Sequence, residues 1–354
     1  MAKLKLAILG CGDVAQRDYL PEVHRLAGKM EIVAVFSRTE TRARSVAHEY
    51  DIPRWFTDYR RMLSDTDAEL VANLTPIPVH ADVTLAALEA GKHVYTEKPM
   101  ASTVSDAEKI KDAAASRGLK LVCAPCSMIF PQVQYAQSLL EDGAIGEVHS
   151  ARGVAFGGVP PWGGFIGDQS QYFAEGAGSA RDMGVYPLHA ITGLLGPARK
   201  VTAMTSRARD SFALVEGPRK GNVVPIEADD NCHLVLDLGR ARLASVEANN
   251  CALATQAPQL ELNGLKGSIA VNLTDVAAPV EIFRGSCGWE KVDVPRKRES
   301  GPDHILGVEH LVDCVMEDRQ PVLSVEHALH VVEIIEKAAQ SSREGRAFPI
   351  ESTF

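Results

Sequence analysis

Short apolar segments alternate with amphipathic segments along the first 124 residues of the chain. The apolar segments have the length and residue content of buried strands, and they cover residues 4–9, 31–36, 70–74, 93–96 and 119–124. The segments with helical spacing cover residues 14–27, 39–50, 79–90 and 105–117. Pro21 predicts a kink in the first of these helices. Strands that alternate with helices in this way predict a parallel sheet covered by helices.

A different pattern begins near residue 125. The predicted helices of this part cover residues 132–141, about 181–195, 307–316 and 325–341. Short alternating segments separated by turn residues, such as 233–238 and 241–249, favour antiparallel pairing. The chain therefore predicts an α/β domain over residues 1–124, with a doubly wound parallel sheet. An α+β domain with an open, mainly antiparallel sheet is predicted over residues 125–354.

The composition is that of a folded, water-soluble protein. Hydrophobic residues make up 45% and charged residues 23% of the 354 residues, which excludes predominant disorder. The net charge of −9 argues against a nucleic-acid-binding protein. No apolar run approaches the ~20 residues that span a bilayer. The N-terminus lacks the layout of a signal peptide. The seven cysteines are scattered along the chain and do not form a disulfide framework. We therefore expect a cytoplasmic protein with no nucleic-acid or membrane partner.

A glycine-rich turn joins the first predicted strand to the first predicted helix. The sequence there is Gly10-Cys-Gly12-Asp13-Val14-Ala15. In dinucleotide-binding domains the first glycine of such a turn permits the bend, and the second lets the backbone approach a pyrophosphate. Amides at the helix N-terminus then face the phosphates. We therefore predict a Rossmann-type cofactor site formed by Gly10, Gly12, Asp13 and Val14.

The end of the second predicted strand distinguishes NAD from NADP. NAD sites usually place a carboxylate there to bind the ribose 2′-hydroxyl. This chain instead has Ser37 and Arg38, with Arg42 further on. A hydroxyl and guanidinium groups suit a 2′-phosphate, so these three residues predict NADP(H) as the preferred cofactor. NAD is the alternative if Ser37-Arg38 is only a solvated loop.

The strand over 93–96 leads into Glu97-Lys98-Pro99 at the carboxyl edge of the sheet, where ligands bind in open α/β sheets. Together with the glycine-rich turn, the segment Thr75-Pro-Ile-Pro-Val-His80 and the segment Asp182-Met-Gly-Val-Tyr-Pro-Leu-His189, this motif resembles the Gfo/Idh/MocA family. That family includes glucose–fructose oxidoreductase and inositol dehydrogenases. The motifs occur in the family's order and spacing, and the resemblance extends over essentially the whole chain.

The resemblance implies a site at the nicotinamide end of the cofactor. It implies that Thr75, Pro76 and His80 lie beside the ribose and the nicotinamide. Glu97 and Lys98 are implied to contact the nicotinamide ribose, and Lys98 is implied to be catalytic as well.

Three polar residues follow one another at helical spacing in the second predicted domain. Asp182, Tyr186 and His189 are spaced i, i+4, i+7 and share one helix face, with Gly184 leaving room between them. The family often has His where this chain has Tyr186, and a Tyr there is similar to the glucose–fructose oxidoreductase, dihydrodiol dehydrogenase and nucleotide-sugar ketoreductase branches. A phenol near a cation such as Lys98 suits proton donation to a developing alkoxide. We expect Tyr186 to carry the proton, with His189 as the alternative, and Asp182 and His189 to bind substrate hydroxyls.

Other segments have less specific chemistry. The glycine-rich aromatic loop 157–178 is either a lid, with Trp162 as a substrate-binding residue, or an ordinary surface loop. Cys123 and Cys126 have redox spacing, but they follow a strand instead of opening a helix, which favours a buried or substrate-facing wall. Cys232-His233 lacks partners at metal-ligand spacing, so we predict no metal.

The sequence thus predicts an NADP(H)-dependent oxidoreductase that transfers a hydride between nicotinamide and a secondary alcohol or ketone. The resemblance implies a sugar, cyclitol or nucleotide-sugar as the substrate. An NAD-retaining glycosidase or a cofactor-sensing regulatory protein of the same fold is the alternative, and the pair of Lys98 and Tyr186 argues against a pure sensor. An open sheet with one exposed face predicts a homodimer or homotetramer.

Overall fold

The computed structural model of the chain describes residues 2–156, 166–285, 288–295 and 298–354. The chain divides into two compact units. The first contains the chain up to Pro125 and the segment His304–Leu329, together with a short piece around Ile166. The second contains the remainder.

A parallel sheet forms the centre of the first unit. Its strands within the described residues are β1 (Leu4–Leu9), β2 (Met30–Phe36), β3 (Trp55–Phe56), β4 (Leu70–Asn73), β5 (His93–Thr96) and β6 (Leu121–Cys123). Their spatial order is β3-β2-β1-β4-β5-β6, and each neighbouring pair is parallel. The order reverses between β1 and β4, which is where doubly wound sheets bind dinucleotides. The predicted sheet is confirmed.

Helices connect these strands, and local sequence explains their ends. They are α1 (Glu40–Glu49), α2 (Tyr59–Asp65), α3 (His80–Glu89) and α4 (Val104–Arg117). At the start of α4, the amide of Asp106 donates to the hydroxyl of Thr103 at 3.2 Å. At its end, Gly118 adopts the left-handed conformation, with a φ of 63°.

The first predicted helix, over residues 14–27, is not a regular α-helix. A π turn covers Ala15–Tyr19 and a 3-10 helix covers Leu20–Leu26. Pro21 lies at the start of the 3-10 helix. Because proline has no amide hydrogen, it cannot donate the bond that a continuous α-helix requires at this position. The expected kink is therefore a change of helix type.

A mixed sheet forms the centre of the second unit. Its strands within the described residues are β7 (Val148–Phe156), β8 (Lys200–Ser206), β11 (Asn231–Asp237), β12 (Leu243–Asn249), β13 (Leu260–Gly264), β14 (Gly267–Val271), β15 (Val280–Arg284), β16 (Trp289–Val292) and β17 (Phe348–Pro349). The pairing of β7 with β12 is parallel and the remaining pairs are antiparallel, which confirms the predicted open, mainly antiparallel sheet. A separate hairpin joins β9 (Ser211–Ala213) to β10 (Val223–Pro225).

Helices α5 (Pro131–Glu141) and α6 (Val185–Leu195) belong to the second unit, and α6 packs closely on β7. A Cβ at Gly153 of β7 would lie 2.5 Å from the Cβ of Pro187 on α6. Only glycine allows this approach without displacement of the helix. The sheet thereby fixes the position of α6, which carries two of the predicted site residues.

The segment His304–Leu329 returns to the first unit. It contains α7 (Ile305–Met316), which packs against β5 and β6. The amide of Cys123 donates to the carbonyl of Leu323 at 3.1 Å, and Lys29 pairs with Asp313 at 2.7 Å. Helix α8 (Val325–Glu344) begins in this segment and continues into the second unit.

Candidate active site

The glycine-rich turn has the geometry of a phosphate-binding loop. Gly10 has a φ of 108°, and a Cβ there would lie 2.6 Å from the carbonyl oxygen of Leu74. Any other residue would push the turn away from the end of β4. Among the described residues, a Cβ at Gly12 would meet no atom within 4 Å. The open space at Gly12 is what close approach of a pyrophosphate to the backbone requires.

Asp13, at the start of the helical segment, uses its carboxylate within the protein. It forms an ion pair with Arg17 and accepts a hydrogen bond from the amide of Ile166 at 3.2 Å. What Asp13 can offer a phosphate is therefore its backbone amide, together with that of Val14. The arginine also offsets the negative charge that the loop would otherwise present to a phosphate.

The end of β2 carries a hydroxyl and cations. Ser37 is buried and accepts a hydrogen bond from the amide of Thr39 at 3.3 Å, while Arg38 is exposed. Burial raises the pKa of Cys11, in the phosphate loop, to about 12, and the charge of Arg42 acts in the opposite direction. The positive charge of Arg42 therefore acts on the phosphate loop and favours an anion there.

His80 ties two loops of the sheet edge together. Its Nδ1 lies 2.8 Å from the carbonyl oxygen of Pro99, and its Nε2 lies 2.6 Å from that of Thr75. Asn73 adds to this network, because its side chain donates to the carbonyl of His80 at 3.0 Å and accepts from the hydroxyl of Thr75 at 2.6 Å. Burial lowers the pKa of His80. Each ring nitrogen faces a backbone carbonyl, and the neutral imidazole donates its single N–H to one of them at a time. The ring thereby positions the segments that contain Thr75, Pro76 and Lys98, and its contact with the cofactor stays a prediction.

Glu97 is an ionised side chain inside the first unit. It is 6% exposed, and it accepts hydrogen bonds from the hydroxyl of Tyr19 at 2.5 Å and from the amide of Lys98 at 2.9 Å. Burial raises the pKa of Glu97, but the charges of His304 and Lys98 and these two hydrogen bonds outweigh burial, so the net effect lowers it. The carboxylate therefore stays charged at neutral pH and holds the backbone of Lys98, whose side chain is partly exposed.

Tyr19, Tyr95 and His304 are neighbours of this site that sequence reasoning missed. The two tyrosine hydroxyls are 2.6 Å apart, and the ring of His304 stacks on that of Tyr19 with centroids 6.0 Å apart. Tyr19 lies in a segment that reads as an amphipathic helix, and His304 is more than 200 residues away in sequence. A tyrosine at an otherwise apolar strand position, as at Tyr95, was the one available signal, because a buried phenol needs a hydrogen-bond partner.

The second unit carries the other predicted residues around the start of α6. Asp182 lies in a π turn (Ala180–Gly184), and Tyr186 and His189 lie on α6 itself. All three side chains are buried. The π turn interrupts the simple i, i+4, i+7 geometry expected from the sequence. Gly184 serves packing, because a Cβ there would lie 3.0 Å from the Cβ of Ala248 on β12.

His189 is fixed in one tautomer. Its Nδ1 lies 2.9 Å from the carbonyl oxygen of Val185, so Nδ1 carries the hydrogen and donates it. Burial lowers the pKa of His189 to about 4. At neutral pH its Nε2 is therefore an acceptor, which suits binding a hydroxyl better than supplying a proton.

The other residues singled out in the sequence are Trp162, the cysteine pair and the possible metal ligands. Trp162 lies outside the described residues. Cys123 is buried, and burial raises its thiol pKa, so it lacks the thiolate character of a redox cysteine. Within the described parts of the chain, no group of three or more His, Cys, Asp or Glu side chains could hold a metal ion.

Comparison with known proteins gives the class that this fold and site define. A family model described as an oxidoreductase family with an NAD-binding Rossmann fold matches residues 4–124, and the GFO/IDH/MocA C-terminal domain matches residues 133–270. The chain belongs to the Gfo/Idh/MocA oxidoreductase family.

Individual relatives are sugar and diol oxidoreductases. The chain is 32% identical over 205 residues to dTDP-3,4-didehydro-2,6-dideoxy-alpha-D-glucose 3-reductase of Streptomyces violaceoruber, which is 58% of each chain. It is 25% identical over 323 residues to trans-1,2-dihydrobenzene-1,2-diol dehydrogenase of Xenopus tropicalis, covering 88% of this chain and 89% of the relative. The crystal structure of aldose-aldose oxidoreductase from Caulobacter crescentus, complexed with glycerol, has a TM-score of 0.80 at 26% identity and covers 98% of this chain and 100% of that one. None of the helices in the described part of this chain combines the length and apolar character needed to cross a bilayer.

The buried, neutral His189 gives the protein a predictable pH dependence. The folded-state pKa of about 4 lies below the ordinary value of 6.5, so the unfolded chain binds more protons between these pH values. Stability therefore falls as the pH drops through this window. We expect His189→Gln to lose unfolding free energy less steeply than wild type when denaturant unfolding is followed at several pH values across it. His233→Gln, at an exposed position on β11, is the control and should keep the wild-type slope; an unchanged slope in His189→Gln would contradict this assignment.

Proposed function

We propose that this protein is an NADP(H)-dependent oxidoreductase that transfers a hydride between nicotinamide and a secondary alcohol or ketone of a sugar, cyclitol or nucleotide-sugar. The observation that carries the proposal is the combination, at one sheet edge, of an open phosphate loop at Gly12 and the charged pair Glu97-Lys98. The sugar and diol substrates in the names of the relatives support the substrate class.

The residues of this chain supply positioning, charge and proton transfer. A bound nicotinamide supplies the hydride chemistry. The ammonium of Lys98 stabilises negative charge on the substrate oxygen, and the phenol of Tyr186 donates or accepts the hydroxyl proton. Asp182 and the acceptor Nε2 of His189 bind substrate hydroxyls and so fix which carbon reacts. Because burial keeps His189 neutral, Tyr186 is the better proton carrier of the two.

The catalytic roles are tested by two substitutions. Lys98→Ala should abolish the absorbance change of the reduced nicotinamide when the protein is screened with sugars, cyclitols and keto-sugars. Tyr186→Phe should lower kcat on the order of 10²-fold, the usual size of a general acid contribution. Tyr135→Phe on α5 is the matched control and should retain activity.

Two outcomes of this screen would count against the proposal. Sugar release by wild-type protein without any absorbance change would favour the cofactor-retaining glycosidase. If Tyr186→Phe lowers kcat only a few-fold, His189 or Lys98 carries the proton instead of Tyr186.

Cofactor preference rests on the cations near the phosphate loop. Arg38→Ala and Arg42→Ala should each weaken NADPH binding about tenfold, because a hydrogen bond to a charged phosphate is worth roughly 1.5–3 kcal/mol. NADH binding should not change, since NADH lacks the 2′-phosphate. Fluorescence titration with both cofactors measures this, and Arg44→Ala, at an exposed position on α1, is the control. Equal effects on NADH and NADPH would show that these arginines do not select the cofactor.

We also propose a homo-oligomer, a dimer or tetramer, formed through the open face of the mixed sheet. Met204, Val235 and Leu243 point to the same face of β8, β11 and β12, and their exposed fractions are 81%, 44% and 54%. Exposed apolar side chains on neighbouring strands mark an interaction surface.

Light scattering should show a dimer or larger for wild type and a smaller species for the double variant Met204→Glu, Val235→Glu. Val223→Glu, exposed on the separate hairpin, should leave the mass unchanged; a monomeric wild type would refute the proposal.

A further inference from the structure

A directed chain of hydrogen bonds ends at Glu97. The carboxylate can only accept, so the hydroxyl of Tyr19, 2.5 Å from its Oε1, is the donor in that contact. The oxygen of Tyr19 must then accept from Tyr95, whose hydroxyl lies 2.6 Å away. Both tyrosines are almost completely buried. The hydrogens therefore run from Tyr95 to Tyr19 to Glu97.

Tyr19 is held in place from several sides. It is the last residue of the π turn Ala15–Tyr19, which begins three residues after the open Gly12 of the phosphate loop. The ring of Tyr95 lies at 5.8 Å, and the ring of His304 stacks at 6.0 Å with an interplanar angle of 15°. π turns inside helices are frequent at functional sites. A fixed ring means that the hydroxyl donates in one direction only.

The other carboxylate oxygen of Glu97 holds the next residue along the chain. Oε2 accepts a hydrogen bond from the amide of Lys98 at 2.9 Å. Tyr19 thus fixes one oxygen of the carboxylate and the backbone of Lys98 occupies the other. A rotation of Glu97 that broke one contact would break both.

We propose that Tyr19 is a positioning residue for catalysis: its hydroxyl orients the buried carboxylate of Glu97, which in turn holds the backbone of Lys98 for reaction. This role rests on the proposed oxidoreductase function. Tyr19 itself need not touch substrate or nicotinamide.

The charge of Glu97 depends on the groups around it, so the role of Tyr19 should be visible in the pH dependence of kcat. The titratable groups that act on Glu97 are Tyr19, His80, Lys98 and His304. Asp18 and Arg17 act in turn on His304. The net effect lowers the pKa of Glu97, and removal of the Tyr19 hydroxyl takes away one of the contributions that lower it. Glu97 should then become protonated at a higher pH.

The test is Tyr19→Phe, which keeps the ring stacked on His304 and removes only the hydroxyl. We expect kcat to fall about tenfold, since a hydrogen bond to a charged group is worth one to two factors of ten. KM should change less than kcat, and the acid limb of the pH profile of kcat should move to higher pH. Tyr95→Phe is the matched control: it removes the hydroxyl that donates to Tyr19 and leaves the hydrogen bond from Tyr19 to Glu97 in place, so its effect should be clearly smaller. Equal effects of the two variants, or an unmoved acid limb in Tyr19→Phe, would overturn the proposal.

A double-mutant cycle shows whether Tyr19 acts through Glu97. In a Glu97→Gln background, Tyr19→Phe should lower kcat little further. A full additional loss in that background would mean that Tyr19 acts by another route.

Unfolding measurements separate this inference from the proposed function. Because the folded-state pKa of Glu97 is lowered, its charge stabilises the fold above the ordinary pKa of 4.5, and that contribution disappears as the pH falls below it. The difference in unfolding free energy between wild type and Tyr19→Phe should therefore shrink at acid pH. A shrinking difference in a protein without any nicotinamide chemistry would overturn the proposed function and the catalytic role of Tyr19, while confirming the contact. A difference that does not depend on pH would show that the hydroxyl does not act on the charge of Glu97.

Discussion

The buried charge of Glu97 is the constraint around which the sheet edge of the first unit is organised. An ionised carboxylate taken out of water is costly unless hydrogen bonds and opposite charges compensate for it. Here the compensation comes from the hydroxyl of Tyr19 in the π turn after the phosphate loop and from the amide and the positive charge of Lys98 on the adjoining loop, while the ring of His304 in the returning segment stacks on Tyr19. Three separate stretches of chain are thereby held to one point beside the phosphate loop.

Close contacts between uncharged groups reinforce the same edge of the parallel sheet. Gly10 allows the phosphate loop to pass so near Leu74 that no side chain would fit. The ring of His80 lies between the carbonyls of Thr75 and Pro99, with one nitrogen facing each and a single N–H to donate. The loops after β1, β4 and β5 are therefore cross-linked to one another, and rigid loops on a rigid sheet are what precise placement of a ligand requires.

Both units use a π turn where a candidate site residue is presented. Ala15–Tyr19 follows the phosphate loop, and Ala180–Gly184 leads into α6. A π turn adds a residue to the helical repeat and so rotates the side chains that follow it relative to a regular α-helix. Tyr19 is the last residue of the first turn, and Asp182 lies within the second. Burial then adjusts the chemistry of the next residues, as it does in keeping His189 neutral.

Apolar periodicity, Gly10-x-Gly12 and Glu97-Lys98-Pro99 are local patterns that report local geometry, so they were enough to predict the two kinds of sheet, the glycine-rich turn and the family. The sequence also indicated a break near Pro21, although the break is a change of helix type and not a bend in an α-helix. In contrast, no local pattern predicts that 304–329 returns to the first unit or that Tyr19, Tyr95 and His304 gather around Glu97; these features exist only in the folded chain. The physical reason is distance along the chain: hydrogen bonds and ring stacking between residues 76 to 285 positions apart leave no periodic trace in either segment, and they exist only once the sheet has brought those segments together.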